Sequence, residues 1–171
     1  MKYLRRKEFP VVKFRPARHF LEKKFMNWEN HVAIVTGASR GIGGEIAAVL
    51  ARKGAAVCVH YHRAQEEAEK VVKLIRKEGG SAAALQADVR NYEQVGNLVA
   101  QCQEIFGPAD ILVNNARQIE QKKKFLDLAW SDFLAQMDVI LQGAVHCCQA
   151  VIPSMKEKRN GRIVNILSTT I

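Results

Sequence analysis

From residue 31 onward, short apolar runs and amphipathic stretches alternate along the chain. "HVAIVTG" (31–37) is a brief β-branched run closed by glycine, the pattern of a strand buried on both faces. Residues 42–53 have helical character and end at Gly54. "AAVCVHY" (55–61) is the next strand. "AQEEAEKVVKLIRKEGG" (64–80) is amphipathic: Ala68, Val71, Val72 and Ile75 share one face, and Glu66/Lys70 and Glu69/Lys73 stand one turn apart on the outside. Gly79 and Gly80 stop that helix. "AALQADV" (83–89) is a third strand, and "NYEQVGNLVAQCQEIFG" (91–107) a helix with Asn91 as N-cap and Gly107 as stop. "ADILVNNA" (109–116) is a fourth strand. A long helix is expected from about 131 to 157, with Leu134, Leu141, Val145, Cys148 and Ile152 on one side, and "RIVNIL" (162–167) is the fifth strand.

Five strands alternating with helices imply parallel neighbours joined by right-handed crossovers. The expected fold class is α/β, a doubly wound parallel sheet with helices on both faces. The 171 residues, 48% hydrophobic and 25% charged, suffice for one domain with a substantial core. No apolar run approaches the roughly 20 residues a membrane span requires.

The net charge of +9 at first suggests a nucleic-acid partner. Its distribution argues otherwise. Residues 1–27 carry nine Lys or Arg against Glu8 and Glu22, so +7 of the +9 belongs to this segment. The domain proper, residues 28–171, is close to balanced, and neither a nucleic-acid nor a membrane partner is expected. The leader has Pro10 and Pro16, no serine and no sustained helical period, and is expected to be poorly ordered. Three readings of it stay open: an initiation site placed upstream of a natural start at Met26, an organelle-targeting peptide, or a basic surface arm. The four cysteines (Cys58, Cys102, Cys147, Cys148) form no CxxC pair and no zinc-type spacing. They are expected to be buried or half-buried reduced thiols, in keeping with a cytoplasmic protein, and no metal site is expected.

The first strand leads directly into "TGASRGIGGEIA" (36–47). Gly37 lets the chain turn off the strand, Gly41 lets backbone approach a pyrophosphate, and Gly43 lets the helix pack close to the sheet. The helix N-terminus then faces an anion. Three glycines alone are weak; between a strand and a helix at the head of a βα chain they are a strong signal.

The TGxxxGIG spacing resembles the short-chain dehydrogenase/reductase family, in a Rossmann-like fold. Asp88 and Val89 follow the third strand where the family binds adenine, and Asn114, Asn115 and Ala116 end the fourth beside the ribose and active site. "GRIVNILS" (161–168) resembles the family's fifth strand and places Ser168 at the catalytic serine. The resemblance spans roughly residues 28–171. It implies cofactor-binding roles for Gly37, Ser39, Arg40, Gly41, Ile42, Gly43, Arg63, Asp88, Val89, Asn115 and Ala116. An NAD enzyme usually has an acid at the end of the second strand, but "VHYHRAQ" (59–65) has none before Glu66. Arg40 and Arg63 suit a 2′-phosphate instead, so NADP(H) is favoured, with NAD(H) as the alternative. His60 and His62 flank the same place and are taken as bystanders.

The resemblance implies hydride transfer between a nicotinamide and a small-molecule carbonyl or secondary alcohol, for example as a 3-oxoacyl or ketone reductase. A Tyr and a Lys four residues later normally complete such a site, the Lys lowering the Tyr pKa. They are expected about a dozen residues beyond Ser168, whereas the sequence ends at Ile171; Tyr3/Lys7 matches the spacing but precedes the first strand. A fold truncated after the fifth strand is therefore expected, with apolar faces uncovered and an inactive nucleotide-binding protein as the alternative function. A full-length relative is expected to be a homo-oligomer. Two departures stand out: Arg117 where the family's NNAG has glycine, and Ile140 (or Met137) where it has the asparagine of a proton relay.

Overall fold

The computed structural model describes residues 28–118 and 124–167. The basic leader and Ser168 therefore lie outside the described residues. Five strands, β1 (Val32–Val35), β2 (Ala56–Tyr61), β3 (Ser81–Gln86), β4 (Ile111–Asn114) and β5 (Arg162–Asn165), form one sheet in the order β3-β2-β1-β4-β5. Every pairing is parallel. Helices α1 (Gly41–Arg52), α2 (Gln65–Lys77) and α3 (Tyr92–Phe106) follow the first three strands. Between β4 and β5 run α4 (Trp130–Met137), a π-turn (Asp138–Gln142) and α5 (Gly143–Glu157). The doubly wound α/β expectation is met.

Strand alternation divides the core in two. Ala33, Val35, Val57, Val59 and Val113 point to the face covered by α1 and α2, where they meet Ala47, Ala48, Ala51, Ala68, Val72 and Ile75. Ile34, Cys58 and Leu112 point the other way, onto Leu98 and Cys102 of α3 and Cys147 and Val151 of α5. With both faces covered, β1 and β4 are buried at every position, which is why they read as unbroken apolar runs. Asn91 caps α3, its side chain accepting from the Gln94 amide at 3.0 Å.

Two expectations are corrected. The third strand runs over Ser81–Gln86 and not 83–89. β3 lies at the edge and pairs only with β2, which ends at Tyr61 opposite Gln86, so Asp88 and Val89 have no strand to pair with and form a loop. The stripe read along the long helix is not the packed one. The buried positions are Val139, Gly143, Cys147, Val151 and Met155, spaced by four. Leu134, Leu141, Val145 and Ile152 are exposed, and Cys148 is half-buried. This helix is apolar on two sides, and periodicity does not say which side meets the sheet. β5 is exposed along its length, with Ile163 and Val164 in solvent. Uncovered apolar faces on the fifth strand and the long helix were expected, and both are present.

Candidate active site

The strand order reverses between β1 and β4: the chain winds outward from β1 through β2 and β3, then returns to β4 on the other side of β1. The carboxyl ends of β1 and β4 flank this switch point, where the ligand crevice usually lies in such sheets.

Thr36 knots the two strand ends together. It is buried, its hydroxyl donates to the Val113 carbonyl at 3.3 Å, and it accepts the Asn115 and Ala116 amides at 2.9 Å each. The Asn115 side chain crosses back and donates to the Thr36 and Gly37 carbonyls at 2.9 and 3.1 Å. Asn115 therefore holds the glycine turn with its side chain. Asn114 donates to Asn165 Oδ1 of β5 at 2.9 Å, and its own Oδ1 is buried with no hydrogen-bond partner among the described residues.

The three glycines do different work. Gly37 has φ +63°, and a Cβ there would lie 2.9 Å from Ala116 Cα, so both conformation and space require glycine. Gly43 is buried, and a Cβ on it would run into the Asn115 amide and stand 2.6 Å from the Gly37 carbonyl. Gly41 has φ +57°, yet nothing lies within 4 Å of where its Cβ would be. That open space is at the N-terminus of α1, whose N-cap Arg40 makes no side-chain cap and whose first turn carries no acid. The first-turn amides thus have no side-chain partner at the cap and face outward beside exposed Arg40 and Ile42. This cradle fits a pyrophosphate. Ser39, half-buried, sits between Gly37 and Arg40 in the same turn.

The far end of the crevice is formed by the loops after β2 and β3. Arg63 is exposed, and neither it nor Arg40 is in an ion pair among the described residues. Asp88 is gripped by Arg90, whose Nε lies 2.9 and 3.1 Å from its two oxygens, and His62 Nε2 stands 3.6 Å away. The Arg90 guanidinium holds the Asp88 carboxyl down to about 2. Val89 is buried; His146 Nδ1 donates to its carbonyl at 3.0 Å, and the close approach of Gly143 fixes its side chain.

The structure brings Gly37, Ser39, Arg40, Gly41, Ile42, Gly43, Asn115 and Ala116 together around the β1–β4 crevice. Arg63, Asp88 and Val89 stand on the neighbouring β2 and β3 loops. Ser168 lies outside the described residues, two residues past exposed Ile166. Arg117 is exposed, and Ile140 sits exposed within the π-turn. Sequence reasoning gave no role of its own to Thr36 and took His60 as a bystander. His60 is not a loop bystander: it is the penultimate residue of β2, 2% exposed and hydrogen-bonded through both ring nitrogens. Its position in a strand with Val57 and Val59 was the signal, since a polar residue inside an apolar run has to find partners.

A parallel sheet whose strand order reverses at a glycine-rich β1–α1 turn defines a Rossmann-like α/β domain. The model of the short chain dehydrogenase family matches residues 31–170, and the chain belongs to that family. It is 38% identical over 141 residues to the 3-oxoacyl-(acyl-carrier-protein) reductase FabG of Staphylococcus epidermidis, covering 81% of this chain and 57% of that protein. It is 41% identical over 137 residues to the 3-oxoacyl-(acyl-carrier-protein) reductase of Synechocystis, covering 80% and 55%. Among solved structures it resembles a gluconate 5-dehydrogenase from Burkholderia cenocepacia in complex with NADP and tartrate, with TM-score 0.73, 34% identity, and coverage of 82% and 54%. The chain thus spans about half the length of the curated relatives it matches. Among the described residues no helix is long and apolar enough to cross a membrane, and no cluster of side chains has the makings of a metal site.

Proposed function

We propose that the protein is an NADP(H)-dependent oxidoreductase acting on a carbonyl or secondary alcohol, of the 3-oxoacyl or ketone reductase kind. The observation that carries this reading is the cradle at Gly41, an open left-handed glycine at an uncapped helix N-terminus beside Arg40, with Arg63 on the loop after β2, neither arginine in an ion pair among the described residues. The α1 amides hold the pyrophosphate. Arg40 and Arg63 hold a 2′-phosphate, and no acid at the end of β2 competes for the ribose. Asp88 and the Val89 backbone border the adenine, and Ala116 backbone borders the ribose. When bound, the nicotinamide supplies or accepts the hydride. Ser168, on the chain leaving β5, donates a hydrogen bond to the substrate oxygen. The exposed apolar side of the long helix, Leu134, Leu141, Val145 and Ile152, supports a homo-oligomer.

The test is a titration of the full-length protein with NADPH and NADH. NADPH binding at least tenfold tighter, with the preference lost in the Arg40→Ala/Arg63→Ala double variant, is expected. Equal affinity for the two overturns the NADP(H) assignment, and no binding of either overturns the cofactor reading. A second reading, nucleotide binding without turnover, is favoured by one observation: apolar Ile140 in the π-turn, or Met137 at the end of α4, stands where the family resemblance expects an asparagine. NADPH binding without oxidation across a panel of ketones and 3-oxoacyl thioesters is its signature.

A further inference from the structure

His60 lies between the two halves of the crevice. Its Nδ1 accepts the Gly37 amide at 3.0 Å, and its Nε2 donates to the Ala87 carbonyl at 3.0 Å. The backbone carbonyl of the same residue accepts the Ala38 amide at 2.9 Å. An amide only donates and a carbonyl only accepts, so these partners require a neutral ring with its proton on Nε2. One residue thereby grips the first two amides of the phosphate-binding turn and the carbonyl just before Asp88 and Val89.

We infer that His60 is a positioning residue for the nucleotide: by bridging the Gly37 amide and the Ala87 carbonyl, it holds the phosphate-binding turn and the adenine-side loop at a fixed separation before the nucleotide arrives. The inference rests on the nucleotide-binding reading above. Three observations support it. Gly37 stands in the left-handed region, where its amide has no regular strand or helix partner, and His60 Nδ1 supplies one. Ala87 leads out of β3 into a loop with no strand beside it, so its carbonyl also needs a partner from outside the ladder. The ring is buried, so it cannot swing away to solvent when the turn is empty. A site held in its binding geometry loses less conformational freedom on association, and the gain appears as affinity. The titratable and charged groups around it, His62 just after β2 and Asp88 with Arg90 after β3, lie on the adenine side, where Arg90 pairs with Asp88 and His62 Nε2 stands 3.6 Å from the same carboxylate, leaving the His60 ring to the two backbone groups.

The experiment is calorimetric titration of NADP+ into the full-length protein and its His60→Leu, His60→Asn and His60→Gln variants, with melting of each nucleotide-free protein alongside. Leucine fills much of the ring's volume and makes neither bond; affinity is expected to fall about tenfold or more. Asparagine offers Oδ1 to the Gly37 amide and is expected to restore affinity to within about threefold, whatever its melting temperature. Glutamine reaches only the Ala87 carbonyl and is expected to fall between the two, which keeps the comparison informative if the leucine variant does not fold. His60→Leu binding within twofold of wild type overturns the inference and leaves the cofactor reading intact. So does an asparagine variant no better than leucine or glutamine, because the loss then follows ring volume. A wild-type protein that binds no nucleotide overturns the cofactor reading, and this inference with it.

Discussion

Replacing Gly43 by alanine puts a methyl group where three parts of the site already meet. The new Cβ runs into Asn115 Nδ2 and stands 2.6 Å from the Gly37 carbonyl and 3.1 Å from Ala38 Cα. Two of these neighbours are backbone and do not swing aside. Overpacking of this kind destabilises by about 1–3 kcal/mol. The Asn115 amide must also leave the Thr36 and Gly37 carbonyls, at roughly 1 kcal/mol per bond. The total, about 3–5 kcal/mol, is a large part of the roughly 5–15 kcal/mol that holds a domain folded. Gly41→Ala is the matched control. Its methyl meets nothing within 4 Å, and only the left-handed φ of +57° opposes it, at about 1–2 kcal/mol. Urea unfolding separates the two. With a slope of about 2 kcal/mol per molar, Gly43→Ala lowers the midpoint by about 1.5–2.5 M and Gly41→Ala by under about 1 M. NADP+ titration then shows Gly41→Ala weakened at least tenfold despite its near-normal fold, because its methyl occupies the space left for phosphate. A Gly43→Ala protein within about 0.5 kcal/mol of wild type refutes the packing argument, as does a Gly41→Ala protein less stable than Gly43→Ala.

Burial pushes the His60 pKa from 6.5 down to about 4, so the folded state favours the neutral ring. Its contribution is complete above pH 6.5 and disappears as the pH falls toward 4, about 3 kcal/mol in all; urea midpoints measured at intervals should show this slope in wild type and lose it in His60→Asn. Gly96 lies inside α3 with open space around its Cα and no left-handed φ. Gly96→Ala should therefore raise the melting temperature by about 1–4 °C, for a gain of about 0.5–1 kcal/mol, and a fall would contradict the open geometry. Asn91→Ala removes the α3 cap and should cost about 1 kcal/mol by urea unfolding, whereas Asn91→Asp or Asn91→Ser should stay within a few tenths. Burial pushes the Cys147 thiol up to about 12, and Cys58, hydrogen-bonded to Cys102 and buried, is also raised. In the native protein at pH 8, Cys58, Cys102 and Cys147 should resist a thiol reagent until urea exposes them; rapid native labelling of Cys147 would contradict its burial.

The alternation of apolar runs with amphipathic helices was enough to establish five parallel strands, two helix-covered faces and a glycine turn at the head of the first helix. Those features follow from local chemistry: β-branched runs for strands buried on both sides, charges one turn apart for exposed helix faces, and glycine where the backbone turns left-handed or two segments touch. Other features depended on which surfaces meet. The long helix has two apolar sides, and only packing against α3 and the sheet selected the one with Val139, Cys147 and Val151 over the one with Leu141 and Val145. The third strand stops at Gln86 because its one neighbour, β2, stops at Tyr61, a limit invisible in the third strand's own residues. His60 shows the same division within the site. Its strand position was legible, but its partners, Gly37 and Ala87, lie 23 and 27 residues away. A side chain's hydrogen bonds depend on what the fold carries to its nitrogens, and no pattern within one segment records that.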